Sequence, residues 1–133
     1  MEIYSHKVHY YETDQMGVTH HSNYIRWLEE ARVDYLDKIG APYNELEKSG
    51  LTSPVLSVLC EYKKSTFFGD KVNIEVVLKK CGNVKFKFEY NIYNYDSGDI
   101  CASAETVHCF LNRSGHPVSL EKESPDYYRK MFK

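Results

Sequence analysis

The sequence predicts an α+β fold in which one long helix is wrapped by a five-stranded, mainly antiparallel sheet. Two patterns carry that prediction. A single segment near the N-terminus spaces its apolar residues at helical intervals, and several later segments alternate apolar and polar residues strictly. The 133-residue length adds a third constraint, since it favours one domain, residues 1–133, built on one core. No repeat, low-complexity run or Pro/Gly-rich linker divides it.

Residues 3 to 11 are rich in tyrosine and alternate loosely, which predicts a first strand. From Tyr24 to Ile39 the positions Tyr24, Leu28, Ala31, Tyr35 and Ile39 fall on one helical stripe, with Trp27 and Leu36 beside it. Arg26, Glu29, Glu30, Asp37 and Lys38 occupy the opposite face. Ser22 or Asn23 can cap the start, and Gly40 followed by Pro42 ends it. After Pro54 the pattern turns to strands. Val72, Ile74, Val76 and Leu78 share one face against Lys71, Asn73, Glu75 and Lys79. Val84, Phe86, Phe88, Tyr90 and Ile92 alternate with Lys85, Lys87, Glu89 and Asn91. Turns are expected at 81–83 ("CGN") and 96–99 ("DSGD"). "ICASAETVHCFL" reads as a central strand, with small residues on both faces. "NRSGHP" turns the chain, and "PDYYRKMF" is expected to form a short terminal helix.

One helix must cover the apolar face of five strands, and the simplest solution curls the sheet around it. That leaves the other face and an edge partly apolar, with Tyr62, Tyr93 and Phe110 expected to be exposed there. Association with other copies of the chain follows, as a dimer at least.

Composition excludes several classes of function. The net charge of −2, from 17 basic and 19 acidic residues, offers no electrostatic case for nucleic acid. "MEIYSHKVHYYETD" has no apolar core of the signal-peptide kind, and no run approaches the ~20 apolar residues of a membrane span. Cys60, Cys81, Cys101 and Cys109 form no CxxC pair. Cys101 and Cys109 fall on one strand, roughly 26 Å apart, too far for a shared disulfide or ion. Buried or half-buried thiols in a cytoplasmic protein are expected.

The stretch "YYETDQMGVTHHSNY" lies between the first strand and the helix. It places Asp14, Gly17 and the pair His20-His21 at the helix entry. Asp before Gly is a common turn pair, so the stretch alone leaves turn and site both open. A His pair also invites a metal reading, with His6 or His9 as further ligands. Adjacent residues rarely converge on one ion, and HxxxH and HExxH spacings are absent from the sequence, so no metal is expected.

The run Tyr11, Glu12, Thr13, Asp14, Gly17, Val18, His20, His21, Asn23 and Tyr24 resembles the signature of the 4-hydroxybenzoyl-CoA thioesterase family of hotdog-fold proteins. "EYKKSTFFGD", residues 61–70, is similar to that family's second element. The resemblance covers nearly the whole chain and carries the same order of strands and helix. It implies a hotdog fold and hydrolysis of acyl-CoA thioesters by dimers or tetramers, without a metal or organic cofactor. Residue by residue, it puts Asp14 at the catalytic carboxylate. It puts His21 at the position whose backbone N–H contacts the thioester carbonyl. His20 stands where the common form has an aromatic residue, and lining the acyl pocket, bonding near Asp14 and simple packing are all open to it; Gly17, His20 and Asn23 are the candidate substrate-binding residues. CoA phosphates need cations at the pocket mouth, and Lys63-Lys64 and Lys79-Lys80 are the candidates.

The residue types suit such chemistry. A carboxylate can attack a thioester or activate water. Unpaired N–H groups at a helix start, helped by the helix dipole, stabilise the oxyanion that develops. Two rivals use the same fold: a hydratase or dehydratase acting on acyl thioesters, and a non-catalytic acyl-binding module.

Overall fold

The computed structural model describes residues 2–132. Five strands, β1 (Glu2–Lys7), β2 (Val55–Tyr62), β3 (Lys71–Cys81), β4 (Lys85–Asn94) and β5 (Ile100–Cys109), form one sheet in the order β1-β3-β4-β5-β2. Every neighbouring pair is antiparallel. The long helix α1 (Ser22–Lys38) lies against the sheet, followed by the short α2 (Tyr43–Lys48). Two C-terminal helices, α3 (Leu120–Glu123) and α4 (Pro125–Phe132), complete the chain. This is the expected α+β hotdog architecture.

The periodicities explain the packing. On α1, Tyr24, Trp27, Leu28, Ala31 and Leu36 are buried, a stripe at helical spacing. On β3 the alternate residues Val72, Ile74 and Val76 are fully enclosed, and on β4 Phe86, Phe88, Tyr90 and Ile92 are nearly so. These side chains meet the α1 stripe in one cluster. Each fully buried side chain of this size is worth on the order of 2 kcal/mol.

Several expectations change in detail. The first strand stops at Lys7, and Tyr10–Glu12 form a single 3-10 turn. The Glu12 carboxylate accepts the His9 N–H at 2.8 Å, taking a donor that a longer strand would have given to the sheet. Tyr10 and Tyr11 consequently point into solvent. The helix begins at Ser22, two residues before the apolar stripe. Phe110, expected on an exposed face, is buried and stacked on Phe86 at 4.6 Å. Among the four free cysteines, Cys81 is exposed rather than half-buried, because it ends β3 beside the Gly82 turn.

The two edges of the sheet differ. β1 is partly covered, whereas β2 exposes Val55, Leu56, Val58, Leu59 and Tyr62 along its length. An edge strand apolar in this way is a template for pairing with another chain.

Candidate active site

The segment between β1 and α1 folds into a strap held to the rest of the protein by short polar bonds. Asp14 N–H donates to Val18 O at 2.9 Å, and Gly17 N–H donates to Asp14 O at 3.0 Å. Asp14 Oδ1 accepts the Met16 N–H at 2.8 Å, closing an Asx turn. Gly17 sits at φ +82°, and nothing lies within 4 Å of the place a Cβ would occupy. The glycine is therefore required by backbone conformation and not by a close approach of other atoms. Beyond the turn, Thr19 N–H donates to Thr66 O at 2.8 Å. The Thr66 hydroxyl bonds both Thr19 Oγ1, at 2.6 Å, and the Tyr24 hydroxyl, at 3.0 Å. The strap, the loop before β3 and the first turn of α1 are thus locked together.

These elements enclose a pocket of about 350 Å³. Asp14, His21, Tyr24, Tyr62, Lys63 and Lys64 are among the residues on its wall. Asp14 and His21 therefore face one space. The second carboxylate oxygen of Asp14 has no protein donor among the described residues, and neither does the His21 N–H have a protein acceptor. His21 stands immediately before Ser22, the first residue of α1, where helix geometry leaves donors unpaired. The Tyr62 hydroxyl reaches His21 O at 3.4 Å. Burial, reinforced by Cys60, pushes that phenol up to about 12, so it stays protonated at neutral pH.

The other expected residues take different places. His20 is exposed, and its Nδ1 accepts the Ser22 N–H at 3.2 Å and bonds the Ser22 hydroxyl at 2.8 Å. Its imidazole thus takes the N–H of the first helical residue, whereas the cap position expected at Ser22 or Asn23 falls to His21. Asn23 is buried and donates from Nδ2 to Glu12 O at 2.9 Å and His20 O at 3.2 Å. His20, Asn23 and Gly17 shape the strap and do not stand on the pocket wall of this chain. Lys79 and Lys80 lie at the far end of β3, beyond Lys71, which pairs with Lys7 near the strap. Lys79 is engaged with Glu89 at 2.8 Å and Lys80 with the Tyr128 hydroxyl at 2.6 Å. Lys63 and Lys64, by contrast, stand at the pocket, with Lys64 paired to Asp99 at 2.9 Å.

Sequence reasoning placed Glu12 in the signature run but gave it no role. Its buried carboxylate accepts the His9 N–H, His6 Nε2 at 2.9 Å and Trp27 Nε1 at 2.8 Å. Burial alone would raise its pKa, but those three bonds together outweigh it and hold the carboxyl below its ordinary value of 4.5. The signal in the sequence was an acid directly after the Tyr10-Tyr11 pair. Ligand atoms of His6, His9 and Glu12 lie within 4.8 Å of one another, and the Glu12 oxygens are already engaged by three N–H donors. Glu12→Gln is expected to cost about 2–3 kcal/mol at pH 7, the scale of a buried charge-assisted bond replaced by an unmatched donor. A depressed carboxyl pKa gives stability that is present above the ordinary value and lost as pH falls through the folded-state one. The deficit of the variant in chemical denaturation should therefore shrink below pH 4.5. A pH-independent deficit would show that the charge contributes nothing.

Residues 8–126 match the family model described as the thioesterase-like superfamily. A protein of Aquifex aeolicus named "Putative esterase" is 39% identical over 121 residues, 91% of this chain and 92% of that one. A 1,4-dihydroxy-2-naphthoyl-CoA hydrolase of Thermosynechococcus vestitus is 29% identical over 109 residues, 81% of this chain and 74% of its own. The crystal structure of a DHNA-CoA thioesterase from Staphylococcus aureus superposes with a TM-score of 0.90 at 33% identity, covering 96% of this chain and 86% of that one.

Proposed function

The chain belongs to the thioesterase-like superfamily, and from that premise we propose that it is an acyl-CoA thioesterase of the 4-hydroxybenzoyl-CoA type. The observation that carries the reading is the pairing of a half-free carboxylate with an unpaired helix-start N–H on one pocket wall. In the proposed reaction Asp14 takes a proton from water, and the hydroxide adds to the thioester carbonyl. Alternatively the carboxylate adds directly, giving an anhydride that water then opens. In either course the carbonyl oxygen becomes an oxyanion, and the His21 N–H donates to it, aided by the α1 dipole. The C–S bond then breaks, the acyl group leaves as a carboxylate, and CoA leaves as its thiol after taking up a proton. Lys63 is the cation placed to meet the CoA phosphates. The chemistry draws on no metal or organic cofactor.

The test is release of free thiol from acyl-CoAs of graded chain length, with benzoyl and phenylacetyl forms included, followed with a thiol-trapping dye. Turnover of at least one substrate that is absent from Asp14→Asn supports the reading. Binding without turnover across the series would overturn it.

The assembly proposed is a homodimer or homotetramer in which the exposed edge and apolar face of β2 meet another copy. Tyr62 ends β2 and also stands on the pocket wall, so each site would lie beside a subunit interface. Sedimentation should show no active species near the 15.6 kDa monomer mass. Among the described residues no helix is long and apolar enough to cross a membrane. A cytoplasmic location forms part of the proposal and is supported by four free thiols.

A further inference from the structure

At the other end of the sheet a second cavity of about 300 Å³ opens between α1, the segment after α2, and strands β4 and β5. It shares no lining residue with the Asp14 pocket. The register of β2 on β5 pairs Tyr62 with Ala102 at one end and Val55 with His108 at the other. That puts roughly 20 Å between the two sites, at strand rise. The cavity walls are largely rings, from Tyr43, Phe86, Phe88 and His108.

Two charged residues line this apolar space, Glu29 and Arg32, and only Arg32 is largely withdrawn from solvent. Arg32 projects from α1 with only 15% of its side chain exposed, and its nearest carboxylate among the described residues is Glu29, 3.9 Å away and largely in solvent. The Tyr90 hydroxyl beside it is bonded to Thr106 Oγ1 at 2.7 Å and also accepts from the Arg32 guanidinium, a partner that carries no charge to balance it. Burial, and then the charge of Arg32, drive the His108 imidazole down to about 4, so it is neutral at pH 7. A guanidinium has five donors in a fixed fork that matches a carboxylate. Withdrawn from water with only the solvated Glu29 carboxylate, 3.9 Å away, to pair with, it leaves a desolvation cost that a closer anion would offset.

We propose that this cavity is a second binding site, for a small aryl carboxylate whose ring lies among the aromatic walls and whose anion pairs with Arg32. The size favours a single ring over a long acyl chain, since 300 Å³ is at the lower limit for small-molecule pockets. The site stands independently of the thioesterase reading, because neither Asp14 nor His21 takes part.

The test is binding of benzoate and of its neutral isostere benzamide to the full-length protein, followed by NMR titration and calorimetry. Benzoate should shift the His108 ring and Arg32 Nε–H resonances and leave those of His21 in place. Benzamide should bind at least about tenfold more weakly, because it lacks the charge-assisted pair. Arg32→Met should weaken benzoate by a similar factor, and the benzoate–benzamide comparison decides the matter on the native protein if that variant does not fold. Equal affinity for the two compounds, shifts centred on His21, or no benzoate binding would each overturn the proposal.

Discussion

Asp14→Asn is expected to lower kcat by at least about a hundredfold, the low end for a general base, and by more if the carboxylate is a nucleophile. The substitution is a clean one. Asp14 Oδ1 accepts the Met16 N–H at 2.8 Å, and the amide oxygen of asparagine can accept the same bond. The Asx turn and the position of Gly17 are therefore preserved, and KM for acyl-CoA should stay within a few fold. What changes is the other oxygen. In the native protein it has no donor among the described residues and is free to meet water or the thioester carbonyl. In the variant an NH₂ group stands there and can neither take a proton nor attack. Steady-state kinetics with unchanged thermal stability checks this. Turnover retained within tenfold would remove Asp14 from the chemistry and leave it a turn residue.

The second large effect separates backbone from side chain at position 21. If the oxyanion is met by the His21 N–H, replacing that N–H with an ester oxygen through semisynthesis should cost about 10²–10³ in kcat. His21→Ala should stay within roughly tenfold, since a helix start presents the same unpaired donor whatever side chain it carries. The imidazole does have neighbours: it stacks on His20 at 4.3 Å and meets the Tyr62 ring edge-on at 6.2 Å. Those contacts predict a modest effect on KM from the alanine variant. The opposite result, with alanine inactive and the ester active in a folded protein, would assign the role to the ring. The site would then be closer to a dehydratase, in which a histidine works with an acid.

Much of the fold was legible because periodicity reports burial directly. The alternation of Val72, Ile74 and Val76 with Asn73 and Glu75 has one solution, a strand with one face in the core. The 3.6-residue rhythm through Trp27, Leu28 and Ala31 likewise allows only a helix. Where local pattern and tertiary demand disagreed, the pattern misled. Tyr10 and Tyr11 look like strand residues, but a buried Glu12 turns the chain beneath them. Phe110 follows β5, where an alternating pattern cannot tell an exposed ring from one that stacks on Phe86.

The sequence by itself therefore determined the long helix, the alternating strands β3 and β4, and the order of helix and strands, because each depends on residues within a few positions of one another. Only the tertiary structure decided which lysines stand at the pocket. Lys63-Lys64 and Lys79-Lys80 are alike as dipeptides, but strand register sets them at different ends of the sheet. It also decided that Glu12 joins His6 and Trp27, and that Arg32 from the helix faces His108 from β5. The reason is geometric. A period constrains the face on which a side chain lies, whereas its partner across the core depends on the pairing register and on how the sheet curls about the helix. Neither of those is written in any local stretch of the chain.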